Sequence, residues 1–299
     1  MTIGGNEHTM DRLLFGDNQF FGVNHMSEEK ARAQAMRFQS FDAVMQVLDV
    51  AYDEGIRTFM CTTHERIAQV ADRVRSAPDR YSDFVFYPGM PYAHKYANAM
   101  TEYGALGAVR RFLPDEGMVS MALRGGAAVA RKEVEGMIRL LIDAEMSMFQ
   151  GVAAPVIFLQ NVVVDLLLGL GFDEAFSVFD DHVRTKYGAE PGFITMNMPR
   201  LLDTLERLQI ANPIICSNIN KLGFRMCGGV DAYRDALENR EFRAIAMSVY
   251  ASGAIGPREA FEWIAQFPAI RSVVFGASSA ANIRGTKAAA DAMWPAAIS

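Results

Sequence analysis

Short runs of apolar, β-branched and aromatic residues alternate along this chain with longer stretches whose apolar positions recur every three or four residues. The short runs read as buried strands: "RLLFGD" (12–17), "IRTFMCT" (56–62), "DFVFYPG" (83–89), "APVIFLQN" (154–161), "GFITMN" (192–197), "PIICSNI" (213–219), "RAIAMSV" (243–249) and "SVVFGAS" (272–278). Helical spacing fills the gaps in "SFDAVMQVLDVAYDEG", with Ser40 as N-cap, in "RKEVEGMIRLLIDAEM" and in "FDEAFSVFDDHVRTKYG". It returns in "PRLLDTLERLQIA", with Pro199 in the first turn, in "GVDAYRDALENR" and in "PREAFEWIAQF". Eight strands alternating with helices predict an α/β fold, one (β/α)8 TIM barrel over residues 11–299 behind a flexible start at 1–10. The less regular segment 96–126 reads as an insertion, or as holding one more short strand at 117–126.

Length and composition agree with one large core: 299 residues, 51% hydrophobic. A net charge of −6 with dispersed basic residues argues against nucleic acid as a partner. Three cysteines without metal-finger spacing favour neither a disulfide framework nor structural zinc, and no signal peptide is legible, so a cytoplasmic protein is expected. The long apolar run 151–172 approaches membrane length, but Pro155, Gln160, Asn161 and Asp165 interrupt it. It reads as a buried strand passing into a helix, and no membrane partner is expected.

In a barrel of this kind the chemistry sits where strands end, so the residues after each strand carry the functional reading. After the first come Asp17, Asn18, Gln19, Asn24 and His25, a carboxylate, amides and an imidazole suited to orienting an oxygenated substrate, or a loop satisfying its own backbone. After the second, His64 and Glu65 read as an acid–base pair, or as a helix start capped by Thr62 or Thr63. After the third, Tyr87, Tyr92, His94 and Lys95 offer a pocket wall. His25, His64 and His94 lack a metal-binding spacing, so no metal is expected. Gln160 closes the fourth strand. Asn218, Asn220 and Lys221 follow the sixth, and Lys221 suits either a Schiff base with a carbonyl substrate or a solvated surface position. Tyr250 ends the seventh, as a proton donor or as a packing residue, while Cys61 and Cys216 read as nucleophiles or as small core residues. The last strand opens into Gly276, Ser278, Ser279, Asn282 and Arg284, a turn and helix start able to hold an anion.

Four segments in order, "GIRTF" (55–59), "NMPRLLDTLERL" (197–208), "IAMSVYASGAIG" (245–256) and "VVFGASSAANIRGTKAAAD" (273–291), resemble the aldo-keto reductases over about residues 11–289. The resemblance implies their barrel, and NADP held at the last strand, with Ser278, Asn282 and Arg284 at matching positions. It also implies carbonyl reduction by an Asp, Tyr, Lys and His on successive strand ends. Those four positions fall here on Met60, near Glu65, on Tyr87 and Pro88, and on Gln160 and Asn161. They cannot reproduce a tyrosine acid tuned by a lysine, so a divergent member of the fold is expected. The leading functional expectation is therefore a non-redox lyase, aldolase or isomerase acting on a small oxygenated or phosphorylated carbonyl compound. Asp17, His64, Glu65, Lys221 and Tyr250 are its catalytic candidates, and Asn18, His25, Tyr87, His94, Gln160, Asn218 and Asn220 would line the substrate site. An NADPH-dependent oxidoreductase with a rearranged site is the first alternative, and a non-catalytic binding or regulatory barrel is the second.

Overall fold

The computed structural model describes residues 8–22, 28–92 and 127–294. Each predicted strand forms: Leu13–Gly16 (β1), Thr58–Thr62 (β2), Val85–Met90 (β3), Val156–Leu159 (β4), Glu190–Thr195 (β5), Ile214–Asn218 (β6), Arg243–Met247 (β7) and Ile270–Phe275 (β8). Every strand runs parallel to the next, and β8 closes on β1 with Val274 beside Leu14. β5 and β8 begin at Glu190 and Ile270 rather than at 192 and 272 as the apolar pattern predicts. At β5 the reason is that Glu190, polar in sequence, is paired inside the barrel end with Arg243.

Among the described residues the helices are Glu28–Arg37 (α1), Phe41–Asp53 (α2), Glu65–Ser76 (α3), Ala127–Met146 (α4), Asn161–Leu170 (α5), Glu174–His182 (α6), Met198–Arg207 (α7), Gly229–Asn239 (α8), Pro257–Ile264 (α9) and Ala280–Met293 (α10). Ser40 caps α2 as expected, its hydroxyl accepting from the Ala43 N–H at 3.2 Å. The apolar run 151–172 divides into β4 and α5, and no helix among the described residues is long and apolar enough to cross a membrane. The possible strand at 117–126 and most of the start at 1–10 lie outside the described residues.

Alternation along the strands separates two cores. Leu14, Met60, Tyr87, Val156, Phe158, Ile214, Cys216 and Ile245 pack together inside the barrel. Phe15, Phe59, Cys61, Phe86, Ile157, Phe193, Ile215 and Val273 point outward under the helices. A side chain at Gly192 would meet the Phe158 ring at 2.3 Å, so glycine lets this ring fill the barrel axis.

The end where strands begin is closed by polar groups. Arg243 Nη1 donates to Glu190 Oε1 at 3.1 Å, the His8 N–H donates to the same oxygen at 2.8 Å, and Thr58 Oγ1 donates to Asp11 Oδ2 at 2.6 Å. The Tyr87 side chain is fully buried beside this group and its hydroxyl has no hydrogen-bond partner. Burial pushes its pKa up, followed by the charges of Asp11 and Glu190.

Candidate functional site

The opposite end, where strands finish, collects the polar side chains. Asp17 directly follows β1 and is buried. Its Oδ2 accepts from both the Thr62 N–H and the Thr62 hydroxyl at 2.7 Å, tying β1 to the end of β2. Burial raises the carboxyl to about 6, against the lowering effect of the two Thr62 bonds. Continuing the inward alternation of Thr58 and Met60 places Thr62 on the barrel side. Asp17 is thus a carboxyl poised to exchange a proton near neutrality, joined to the mouth by a hydroxyl.

His64 and Tyr92 stand beside this pair. The imidazole lies 4.5 Å from the Phe21 ring and 5.1 Å from the Tyr92 ring, centroid to centroid. Burial, then the charge of Asp17, holds the Tyr92 phenol above its usual range. The cap of α3 is His64 rather than Thr62 or Thr63, its Nδ1 accepting from the Arg66 N–H at 2.9 Å. That bond uses Nδ1 as an acceptor. Glu65 is exposed in the first turn of α3.

On the far side of the mouth, a Cβ at Gly89 would touch Ile194 Cδ1 at 3.4 Å and Gln160 Cγ at 3.6 Å, so both side chains border the space beside Gly89. Gln160 Nε2 also donates to the Gly89 carbonyl at 3.2 Å. Asn218 is buried, with Nδ2 on Met196 Sδ at 2.7 Å, and its register partner Met247 packs on the inner core.

Several sequence candidates stand elsewhere. Lys221 is exposed and its Nζ pairs with Glu259 at 2.6 Å, outside the apolar enclosure that activates a Schiff-base lysine. Asn220 staples its own loop, bonding both the N–H and the carbonyl of Phe224 at 2.9 Å. Tyr250 points outward and donates to Thr286 Oγ1 at 3.1 Å, and Tyr87 belongs to the closed end. Asn18 is exposed on the turn after β1. Cys61 and Cys216 are buried core residues whose thiols burial pushes up. His25 and His94 lie outside the described residues. Among the described residues no group of three His, Cys, Asp or Glu side chains is arranged to hold a metal ion. Conversely, Thr62, Phe21, Met196 and Met247 join the mouth without having been singled out for chemistry. Thr62 was readable by counting in twos from Met60.

The architecture has solved counterparts. A Pseudomonas aeruginosa protein assigned as an aldo-keto reductase superposes with a TM-score of 0.60 at 11% identity, covering 94% of this chain and 90% of its own. A thermostable aldo-keto reductase bound to the inhibitor epalrestat gives 0.57 at 11% identity, over 96% and 92% of the two chains. The holo form of an aldo-keto reductase from Bacillus halodurans gives 0.53 at 12% identity, over 94% and 86%. The chain has the aldo-keto reductase barrel fold. No protein-family model and no curated protein matches the sequence. At such identities the likeness establishes the fold, and the reaction has to be argued from the site.

In this aldo-keto reductase-type barrel the turn after β8 leads directly into α10. Ser279 caps α10, its hydroxyl accepting from the Asn282 N–H at 3.3 Å. The first turn carries no acidic residue, and the N–H groups ahead of Asn282 have no partner within the helix. Arg284 is exposed and paired with Glu54 at 2.6 Å, a surface pair that yields readily to a phosphate. Hydroxyls, helix N–H groups and a guanidinium form a donor set that suits a phosphate. Gly276 has another role: a Cβ there would collide with Gln19 Oε1 at 2.3 Å, so glycine admits the Gln19 amide.

Proposed function

We propose that the chain is an NADP-linked oxidoreductase that reduces a small carbonyl compound, or oxidises the corresponding alcohol, with Asp17 and Thr62 managing the proton. The observation that carries this reading is the Asp17–Thr62 pair at the mouth of an aldo-keto reductase barrel. It reorders the sequence expectation, which ranked lyase, aldolase or isomerase chemistry first: Lys221 is exposed on the surface, and the α10 turn suits a phosphate. Ser278, Ser279, Asn282 and Arg284 would hold the phosphate of the dinucleotide. When bound, the reduced cofactor supplies a hydride to the carbonyl carbon.

With Asp17 protonated, its carboxyl would donate to Thr62 Oγ1 and turn the hydroxyl proton towards the substrate, so that as the C=O π electrons move to oxygen Thr62 would give its proton there. Thr62 takes the Asp17 proton in turn, and Asp17 recovers one from solvent. The step requires protonated Asp17, and a pKa of about 6 makes that form accessible near neutrality.

Titration with NADPH should change its fluorescence, and a carbonyl compound should then discharge it. Reduction should slow as pH rises through about 6. Asp17→Asn and Thr62→Ala should each lower kcat by about 10²- to 10⁴-fold, while Thr62→Ser keeps most of it. Absence of NADPH binding would remove this reading and return the buried carboxyl to non-redox proton transfer, the second function it suits.

A further inference from the structure

Resting on the proton unit of Asp17 and Thr62 proposed above, we propose that Glu145 on α4 is a positioning residue: by holding Thr63 it keeps the Thr62 hydroxyl on Asp17. Thr63 donates its hydroxyl to Glu145 Oε2, and both side chains are buried. A carboxylate is a costly choice at this place, since burial penalises its charge and Ile142 and Met146 on the same helix are core residues. An aliphatic side chain would fill the space without that cost. The carboxylate adds an acceptor for the Thr63 hydroxyl.

The bond falls where the chain leaves the barrel. Thr62 is the last residue of β2, α3 starts at Glu65, and His64 just before it is extended. Successive side chains of an extended segment alternate: Thr62 turns to Asp17, Thr63 to α4, and His64 to the Phe21 and Tyr92 rings. Asp17 holds Thr62 from the barrel side, through its N–H and its hydroxyl, and Glu145 holds the next residue from the helix side. Anchored on both sides, the junction keeps the Thr62 hydroxyl in place for proton transfer. Burial and the Thr62 bonds dominate the Asp17 carboxyl, and its charge in turn reaches Cys61 on β2 and Tyr92 after β3. Glu145 acts on it through Thr63 rather than through its own charge.

The test follows the Asp17 carboxyl by carbon-13 NMR in the full chain labelled at aspartate, with Asp17→Asn identifying its resonance. The parent should titrate at about 6. In Thr63→Val and in Glu145→Leu the Thr62 donors move off Asp17, and its midpoint should rise by about half a pH unit or more. Glu145→Gln keeps an acceptor without the charge, and Thr63→Ser keeps the donor, so both should stay within about 0.2 of the parent. The double variant Thr63→Val with Glu145→Met removes both ends of the bond together and is read the same way if a single variant does not fold. A bond that only stabilises the fold would lower the urea midpoint and leave the Asp17 titration where it was. An unmoved or lowered titration in the folded variants therefore overturns the proposal. So does a shift in Glu145→Gln as large as in Glu145→Leu, which would make the charge responsible. The titration needs neither cofactor nor substrate, so its result stands if NADPH fails to bind, and an unmoved titration in a chain that does reduce carbonyls leaves the reductase reading intact.

Discussion

Asp17 is the residue on which both the proposed function and the stability turn. Its carboxyl titrates at about 6 in the fold against a reference value of 3.8. The folded state therefore holds its proton more tightly than the unfolded chain, and the favourable contribution is complete below pH 4. It is lost as pH rises through 6, a penalty of up to about 3 kcal/mol for a shift of roughly two units. Asparagine has the same shape, and its amide oxygen can accept from both Thr62 donors. Asp17→Asn should consequently be more stable than the parent at pH 8 by as much as that penalty, with the difference vanishing below pH 4. Urea unfolding across this range measures it, and a constant difference at all pH values would refute the burial argument. Asp17 was legible in sequence as a strand-end carboxylate, whereas its partner was not: Thr62 looked like a helix cap, and only the β1–β2 register brings its hydroxyl to Oδ2.

At the level of elements, the strands were the readable part because a parallel strand buried on both faces must be apolar along its length. The polar residues of β6 and its loop were harder to read, since composition cannot say which way each one faces. Ser217 turns outward and donates to the Thr195 carbonyl at 2.7 Å, beside the buried Tyr233 hydroxyl, which itself donates to the Met196 carbonyl at 2.8 Å. Asp165 on α5 completes the support by accepting from Thr195 Oγ1 at 2.5 Å. This arrangement joins α5, β5, β6 and α8, and it is structural. Tyr233→Phe leaves the Met196 carbonyl and the Met198 N–H short of a partner and should cost about 1–3 kcal/mol, measured by chemical denaturation. Removing the cap of α2 with Ser40→Ala should cost about 1 kcal/mol, with the pH profile of turnover unchanged because α2 holds no group of the mouth.

For the whole molecule, the two barrel ends divide the labour. The end where strands begin is sealed by Arg243 and Glu190, and replacing either partner alone strands the other charge. Arg243→Met should therefore destabilise by about 3–5 kcal/mol, while the pair Arg243→Met with Glu190→Leu should recover much of that loss. Thermal unfolding of the single and double variants gives the comparison, and additive losses would mean that packing rather than charge is at stake. The chemistry proposed at the opposite end should survive the double variant, since its side chains belong to other layers of the barrel.

The seam where the barrel closes also constrains how this sequence can change over time. Gln19 lies against the backbone of Gly276, in the space a side chain there would need. In descendants of this sequence, a larger residue at 276 becomes tolerable only after position 19 has been shortened. The order of substitutions is fixed, and the two positions should vary together even though one follows the first strand and the other the last.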